Sequence, residues 1–298
     1  MVNKGLNRMI KMLLQNREVE TNKRVTDARE TLEHMANMIK LPEDVEVNKV
    51  TIEGIDATWL KTPGSNNDHV VLYLHGGGYT TGSFNSHKDL VYRLSKESKC
   101  RIITIEYGLA PEHPYPKGLN DVVTIYKWLI SEEKIKPNKL IIAGDSAGGG
   151  LTLVTLLKLR DLGISLPAAG VCLSPWTDLT FTGESYHDKN ISDPGITLDG
   201  LMFDARLYLG DNDPKNPYIS PVYSDLSGLP PLLIHVGTAE KLLNDSTRIS
   251  DKATEAEVDV TLKIWQDMIH VFQAYAVLIS EGQESLVEIG NFIQKQID

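Results

Sequence analysis

Apolar residues in the first 40 positions recur at helical spacing. Leu6, Met9, Ile10, Leu13 and Leu14 share one face, Val25, Ala28, Leu32, Met35 and Ile39 another, and Leu41-Pro42 ends the second helix. From Val45 the period drops to two. Val45, Val47, Val50 and Ile52, then Thr58-Trp59-Leu60, predict an antiparallel hairpin turned near Gly54-Ile55-Asp56. Continuous apolar runs at 70–74, 101–107, 139–142, 169–173 and 231–236 predict strands buried on both faces, and 258–264 alternates as an end strand does. Helical patterns run from Val122 to Leu129, from Leu151 to Leu159 and over 272–297. Residues 175–222 break this alternation. They are rich in Asp, Asn, Gly and Pro, with a helical piece around 198–209, and read as an insertion rather than an independent domain. Eight strand candidates alternating with helices predict one α/β domain over 1–298, a mostly parallel eight-stranded sheet with helices on both faces.

Composition narrows the function classes. Hydrophobic content of 41% supports a sizeable core, and a net charge of -10 argues against a nucleic-acid or anionic-membrane partner. Cys100 and Cys172 each lie at or in a strand-like run and read as small buried hydrophobes, with neither disulfide nor metal site expected. The N-terminus shows no continuous apolar core of a signal peptide, and no stretch is long enough to span a membrane. A cytoplasmic setting is the expectation.

The chemistry centres on Ala143-Gly144-Asp145-Ser146-Ala147-Gly148-Gly149, between a predicted strand and a predicted helix. Ser with Gly two residues before and two after is the nucleophile-elbow pattern, where a sharp turn projects the hydroxyl at a helix N-terminus. A hydroxyl needs a base, an acid that orients the base, and donors for the oxyanion. His75-Gly76-Gly77-Gly78-Tyr79 follows a strand, so Gly76 and Gly77 are expected to donate together with Ala147. In this arrangement the order is Ser, acid, His, and of eight histidines only His270 lies after the seventh strand candidate. The segment after that strand offers Glu240 and Asp245. Glu240 is closer to the strand end, whereas Asp245 opens the next helix, where it would serve that helix's own N–H groups. Glu240 is therefore the expected acid. Tyr79, Trp176, Phe203 and Val271 are expected to line a bounded substrate pocket, with packing between insertion and body as the alternative for the aromatics of 175–222.

Several runs carry a family resemblance: His75-Gly76-Gly77-Gly78-Tyr79, Tyr107 to Pro114, Gly144 to Gly149, Ser174-Pro175-Trp176-Thr177-Asp178-Leu179, Pro230 to Ile234, and Asp267-Met268-Ile269-His270. Together, from about residue 45 to 275, the chain resembles the bacterial hormone-sensitive-lipase-like esterases of the α/β-hydrolase fold. The resemblance implies a helical cap formed by 1–42 and about 177–215. It implies hydrolysis of short- to medium-chain acyl esters through an acyl-enzyme, no cofactor, and a homodimer through the last strand. Three positions depart from the family pattern. Glu240-Lys241 stands where many members have Asp-Pro, Gly108 where Arg is common, and Val271 where Gly often follows the His. The same machinery also serves lactonases and amidases, and a non-catalytic ligand receptor on the same fold is the reading from another class.

Overall fold

The computed structural model describes residues 25–191 and 193–297. The helix expected over Leu6 to Leu14 lies outside them. The second, α1 (Val25–Ala36), is present.

Eight strands form one sheet in the order β1-β2-β4-β3-β5-β6-β7-β8. β1 (Glu46–Ile52) and β2 (Ile55–Lys61) are the antiparallel hairpin, and β2 also runs antiparallel to β4 (Cys100–Ile105). From β4 onward all neighbours are parallel: β3 (Asn66–Leu74), β5 (Leu140–Asp145), β6 (Ala169–Leu173), β7 (Leu232–Gly237) and β8 (Val260–Trp265). The end of β3 shows why its run is apolar throughout. Val70, Leu72 and Leu74 enter one core cluster, while Val71 and Tyr73 enter the cluster on the opposite face. Successive side chains alternate across the sheet and both faces are covered.

One face is covered by α2 (Phe84–Ser98) and α8 (Ser280–Ile297), the other by α3 (Lys117–Ser131), α4 (Ala147–Asp161) and α7 (Leu243–Glu255). α4 is apolar nearly all round and correspondingly buried nearly all round. The apolar pattern does not predict α2. Its Phe84, Leu90, Val91 and Leu94 are diluted by charged residues, and its N-terminus is a reciprocal cap between Ser83 and Ser86 rather than the Ser-to-Glu form. The single helix expected over 272–297 is instead a 3₁₀ turn, Phe272–Tyr275, followed by α8. The chain must first leave the strand ends, where His270 is held, before Leu286, Ile289 and Ile293 can pack against the sheet.

Residues 174–231 leave the sheet between β6 and β7 and carry a short helix, α5 (Glu184–His187), and α6 (Leu198–Leu209). Asp245 anchors their start. It does not serve its own helix, as its place in the first turn of α7 suggests. Its Oδ1 accepts the N–H groups of Thr177 and Asp178 at 2.7 and 2.9 Å. The side chain is wholly buried and points at a loop whose N–H groups would otherwise be orphaned. Arg248, one turn later, pairs with Asp178 at 2.7 Å.

Burial pushes the Asp245 carboxyl up to about 7. Asp245→Asn, a neutral isostere that keeps an acceptor oxygen, should cost about 1 kcal/mol or less. Asp245→Ala leaves two buried donors unpaired and should cost about 2–5 kcal/mol. Urea denaturation of both variants checks this; an alanine variant as stable as the asparagine one would contradict it.

Candidate active site

The β3–β5 register pairs Leu74 with Gly144, so the loop after β3 and the turn after β5 leave the sheet side by side. The strand order reverses here, β4 lying on one side of β3 and β5 on the other, which is where α/β sheets open a crevice at their carboxyl ends. Ser146 occupies the turn with φ 53 and ψ -121, a region costly for any residue with a side chain. Its surroundings hold it there. Its N–H donates to Leu173 O at 2.8 Å, and its carbonyl accepts from Gly150 N and Trp176 N at 3.0 and 2.9 Å. Glycine at 148 is what permits the turn, because a Cβ there would lie 2.0 Å from Leu74 O.

His270 follows β8 and reaches back to the elbow. Its Nε2 lies 2.9 Å from Ser146 Oγ, and its Nδ1 lies 2.8 Å from Glu240 Oε2. A carboxylate can only accept, so Nδ1 carries the hydrogen and Nε2 is left to accept from the serine hydroxyl. Glu240 sits just past β7, fully buried, its other oxygen taking the Gly237 N–H at 2.6 Å and the Ser174 hydroxyl at 2.8 Å. Ser174 also accepts the Val271 N–H at 3.2 Å, joining the acid to the backbone beside the base. The structure thus brings together Ser146, His270 and Glu240, and leaves Asp245 with the insertion.

The glycine loop differs from expectation at one position. Gly76 gives its N–H to Asp145 Oδ1 at 3.1 Å and is not open to an oxyanion. The reason is a buried charge: the Asp145 carboxylate also takes the Tyr73 hydroxyl at 2.7 Å and lies 3.4 Å from His87 Nε2. Burial acts to raise the Asp145 pKa, but the charge and hydrogen bonding of His87 and Tyr73 outweigh it and hold the carboxyl below its ordinary range. Among the described residues, the N–H groups of Gly77, Gly78 and Ala147 have no hydrogen-bond partner. His75 shapes the loop through Nδ1, 2.8 Å from Gly76 O. Burial and the neighbouring His87 push its pKa down to about 4, so it is neutral and donates there.

The expected pocket residues separate into two groups. Trp176 has no exposed surface and Tyr79 almost none; Tyr79 stacks on Tyr208 at 3.8 Å and tilts against Trp176 at 5.9 Å. Both are packing between insertion and body rather than pocket wall. Phe203 is 40% exposed on α6, with the Arg206 guanidinium over its ring, and Val271 is buried beside His270 at φ 48. No local sequence pattern marks Ser174, His87 or Asp193 as part of the site. Ser174 stands in the quoted Ser-Pro-Trp-Thr-Asp-Leu run, but nothing local marks its link to Glu240. Asp193 comes from the insertion and contributes negative charge toward His270. Among the described residues, no group of three or more His, Cys, Asp or Glu side chains is arranged to hold a metal ion, and no helix is long and apolar enough to cross a membrane.

The fold has counterparts among known proteins. The α/β hydrolase fold family matches residues 71–274. An acetyl-hydrolase from Streptomyces hygroscopicus is 36% identical over 279 residues, which are 94% of this chain and 91% of that protein. The crystal structure of an esterase from the bacterial hormone-sensitive lipase family is 41% identical with a TM-score of 0.95, covering 99% of this chain and 98% of that one. The chain belongs to this family. EstE5, another solved structure, obtained after soaking with p-nitrophenyl butyrate, is 40% identical with a TM-score of 0.93, covering 99% of both chains.

Within the family frame, the protonation of His270 becomes a measurable quantity. Burial acts to lower its pKa, but the hydrogen bond and charge of Glu240, with the charges of Asp193 and Asp145, outweigh it and raise the pKa above 6.5. An imidazole that is to take the Ser146 proton must be neutral, so activity is expected to fall as pH drops through this raised value. The acid limb of kcat/KM should therefore have its midpoint above pH 6.5 and move downward in Glu240→Gln. A pH–rate profile with chemistry limiting checks this; a midpoint below 6.5 in the parent protein would contradict it.

Proposed function

We propose that this carboxylester hydrolase works through a Ser146 acyl-enzyme on small esters of short to medium acyl chain. The observation that carries the reading is the continuous relay from Ser146 Oγ through His270 to Glu240, at 2.9 and 2.8 Å. Ser146 attacks the ester carbonyl as its proton passes to His270 Nε2. The oxyanion that forms is received by the N–H groups of Gly77, Gly78 and Ala147, the three left without partners. The tetrahedral intermediate collapses, the alcohol leaves with the proton from His270, and water repeats the cycle to release the acid. Glu240 fixes the imidazole tautomer and stabilises the imidazolium; its two other donors keep it from turning away.

The acyl range rests on the insertion. α1 and the helices of the insertion act as a cap: Tyr208 of α6 stacks on Tyr79 and Arg29 of α1 bonds to Thr80 O, and this docking on the glycine loop limits the space above Ser146. The acetyl-hydrolase relative supports the same range. A homodimer through β8 fits an edge strand with Ile264 45% exposed and with Lys263 engaged by Glu288 of its own chain. Cys100 and Cys172 are both buried as thiols rather than joined in a disulfide, which fits a reducing cytoplasm.

Ser146→Ala should lower kcat by about 10⁴-fold or more, and Glu240→Gln by about 10³–10⁴-fold. Burst kinetics with p-nitrophenyl butyrate tests both; a folded Ser146→Ala variant with near-parent turnover would overturn the mechanism. In an ester series, butyrate should be turned over faster than chains of about twelve carbons or more, because a bounded pocket cannot extend to follow them. Preference for the long chains would refute the cap's role.

A further inference from the structure

The glycine loop is held from two sides. Its first half belongs to the body. His75 O takes the Tyr107 hydroxyl at 2.7 Å, Gly76 N–H goes to Asp145, and Gly77 O accepts Thr80 N and Thr81 N at 3.1 and 2.9 Å, closing the loop on itself. Its second half, 78–80, is held largely by the insertion and by α1. Tyr79 lies under Tyr208 of α6. Thr80 O accepts Arg29 Nε of α1 at 2.7 Å. The Thr80 hydroxyl donates to Asp204 Oδ1 of α6 at 2.8 Å.

Asp204 is an unusual choice for this place. It is part-buried, and among the described residues no Lys, Arg or His forms an ion pair with it. Burial pushes its carboxyl up to about 7, and the Thr80 hydroxyl only partly offsets that. An apolar residue there would avoid the cost. The carboxyl also fills the space where a side chain at 78 would stand: a Cβ on Gly78 would lie 2.4 Å from Asp204 Oδ2. One side chain of the insertion therefore packs on Gly78 and hydrogen-bonds Thr80, two residues apart on the loop whose N–H groups face the reacting carbonyl.

We propose that Asp204 is a positioning residue, through which α6 locks Gly77 and Gly78 in the geometry that receives the oxyanion. This rests on the serine-hydrolase reading above. The insertion then does more than bound the pocket: its docking completes the oxyanion site, and the Asp204–Thr80 hydrogen bond is the coupling. Oxyanion donors act in the transition state, so a misplaced loop costs kcat and kcat/KM equally and leaves KM nearly unchanged. The cost should lie below the 10²–10³-fold of a donor removed outright.

The test uses Asp204→Asn, Asp204→Ala, Thr80→Val, Thr80→Ser and the Asp204→Ala/Thr80→Val double variant. Each is assayed with p-nitrophenyl butyrate after titration of reactive serine with a fluorophosphonate. Asp204→Ala and Thr80→Val should each lower kcat about 10–100-fold with KM within about threefold. Asp204→Asn and Thr80→Ser, which keep the acceptor and the hydroxyl, should stay within about threefold of the parent. The double variant should be no worse than the poorer single one, because one bond is lost only once. Losses that multiply, losses in KM alone, or an unimpaired Asp204→Ala would overturn the proposal. Amide hydrogen exchange at Thr80 and Thr81, whose N–H groups are held by Gly77 O, reads the lock without turnover. It should quicken about tenfold or more in Asp204→Ala or Thr80→Val and stay at the parent rate in the conservative variants; unchanged exchange would overturn the proposal even if the parent proved inert. A parent protein with no burst, alongside quickened exchange, would instead fault the serine-hydrolase reading and leave the lock standing.

Discussion

The parallel pairing of β3 with β5, in the register that sets Leu74 beside Gly144, is the constraint on which the site depends. It places the glycine loop and the Ser146 turn within a backbone's width of each other. The turn then needs glycine at 148, because its Cα passes over the Leu74 carbonyl. A slip of one residue would turn every side chain of β3 to the other face, putting Tyr73 where Leu72 and Leu74 now pack and removing its hydroxyl from Asp145. The hydrophobic alternation of 70–74 and the geometry of the site are thus one requirement.

Buried charge is the second theme. Two carboxylate–imidazole pairs flank Ser146: Glu240 with His270 and Asp145 with His87. Each carboxylate accepts further hydrogen bonds, from Gly237 and Ser174 in one case and from Tyr73 and Gly76 in the other. Buried charges are tolerable when their remaining lone pairs are satisfied in this way. The first pair fixes an imidazole tautomer beside the Ser146 hydroxyl. The second consumes the N–H of Gly76 and so decides which glycines remain open.

The insertion is fastened at both its root and its tip by carboxyls that a sequence pattern would assign to ordinary surface helices. Asp245 holds the root by two backbone N–H groups, and Asp204 meets the glycine loop with α6. Both carboxyls are raised by burial to about 7, the cost of placing an acidic group at a seam. Such groups carry geometric specificity that apolar packing lacks, because a hydrogen bond has a direction and a methyl contact has none.

Much of this was legible in the chain. Apolar runs and their period gave eight strands and the two-sided sheet, because a strand buried on both faces cannot hide its composition. The elbow and the glycine loop were legible because only glycine tolerates those close approaches, and His270 because chain order left it alone after the seventh strand. Glu240 is legible through its distance from a strand end, which is a short-range quantity. What remained hidden depends on residues distant in sequence. Gly76 is lost as a donor through Asp145, 69 positions away; Ser174 meets Glu240 across 66; Asp204 meets Thr80 across 124. α2 was hidden by a weak apolar stripe and a Ser–Ser cap. Local sequence determines period, turn and cap, since these involve neighbours along the chain. Tertiary structure alone decides which buried polar groups find each other, since each must be satisfied by whatever the fold brings within about 3 Å.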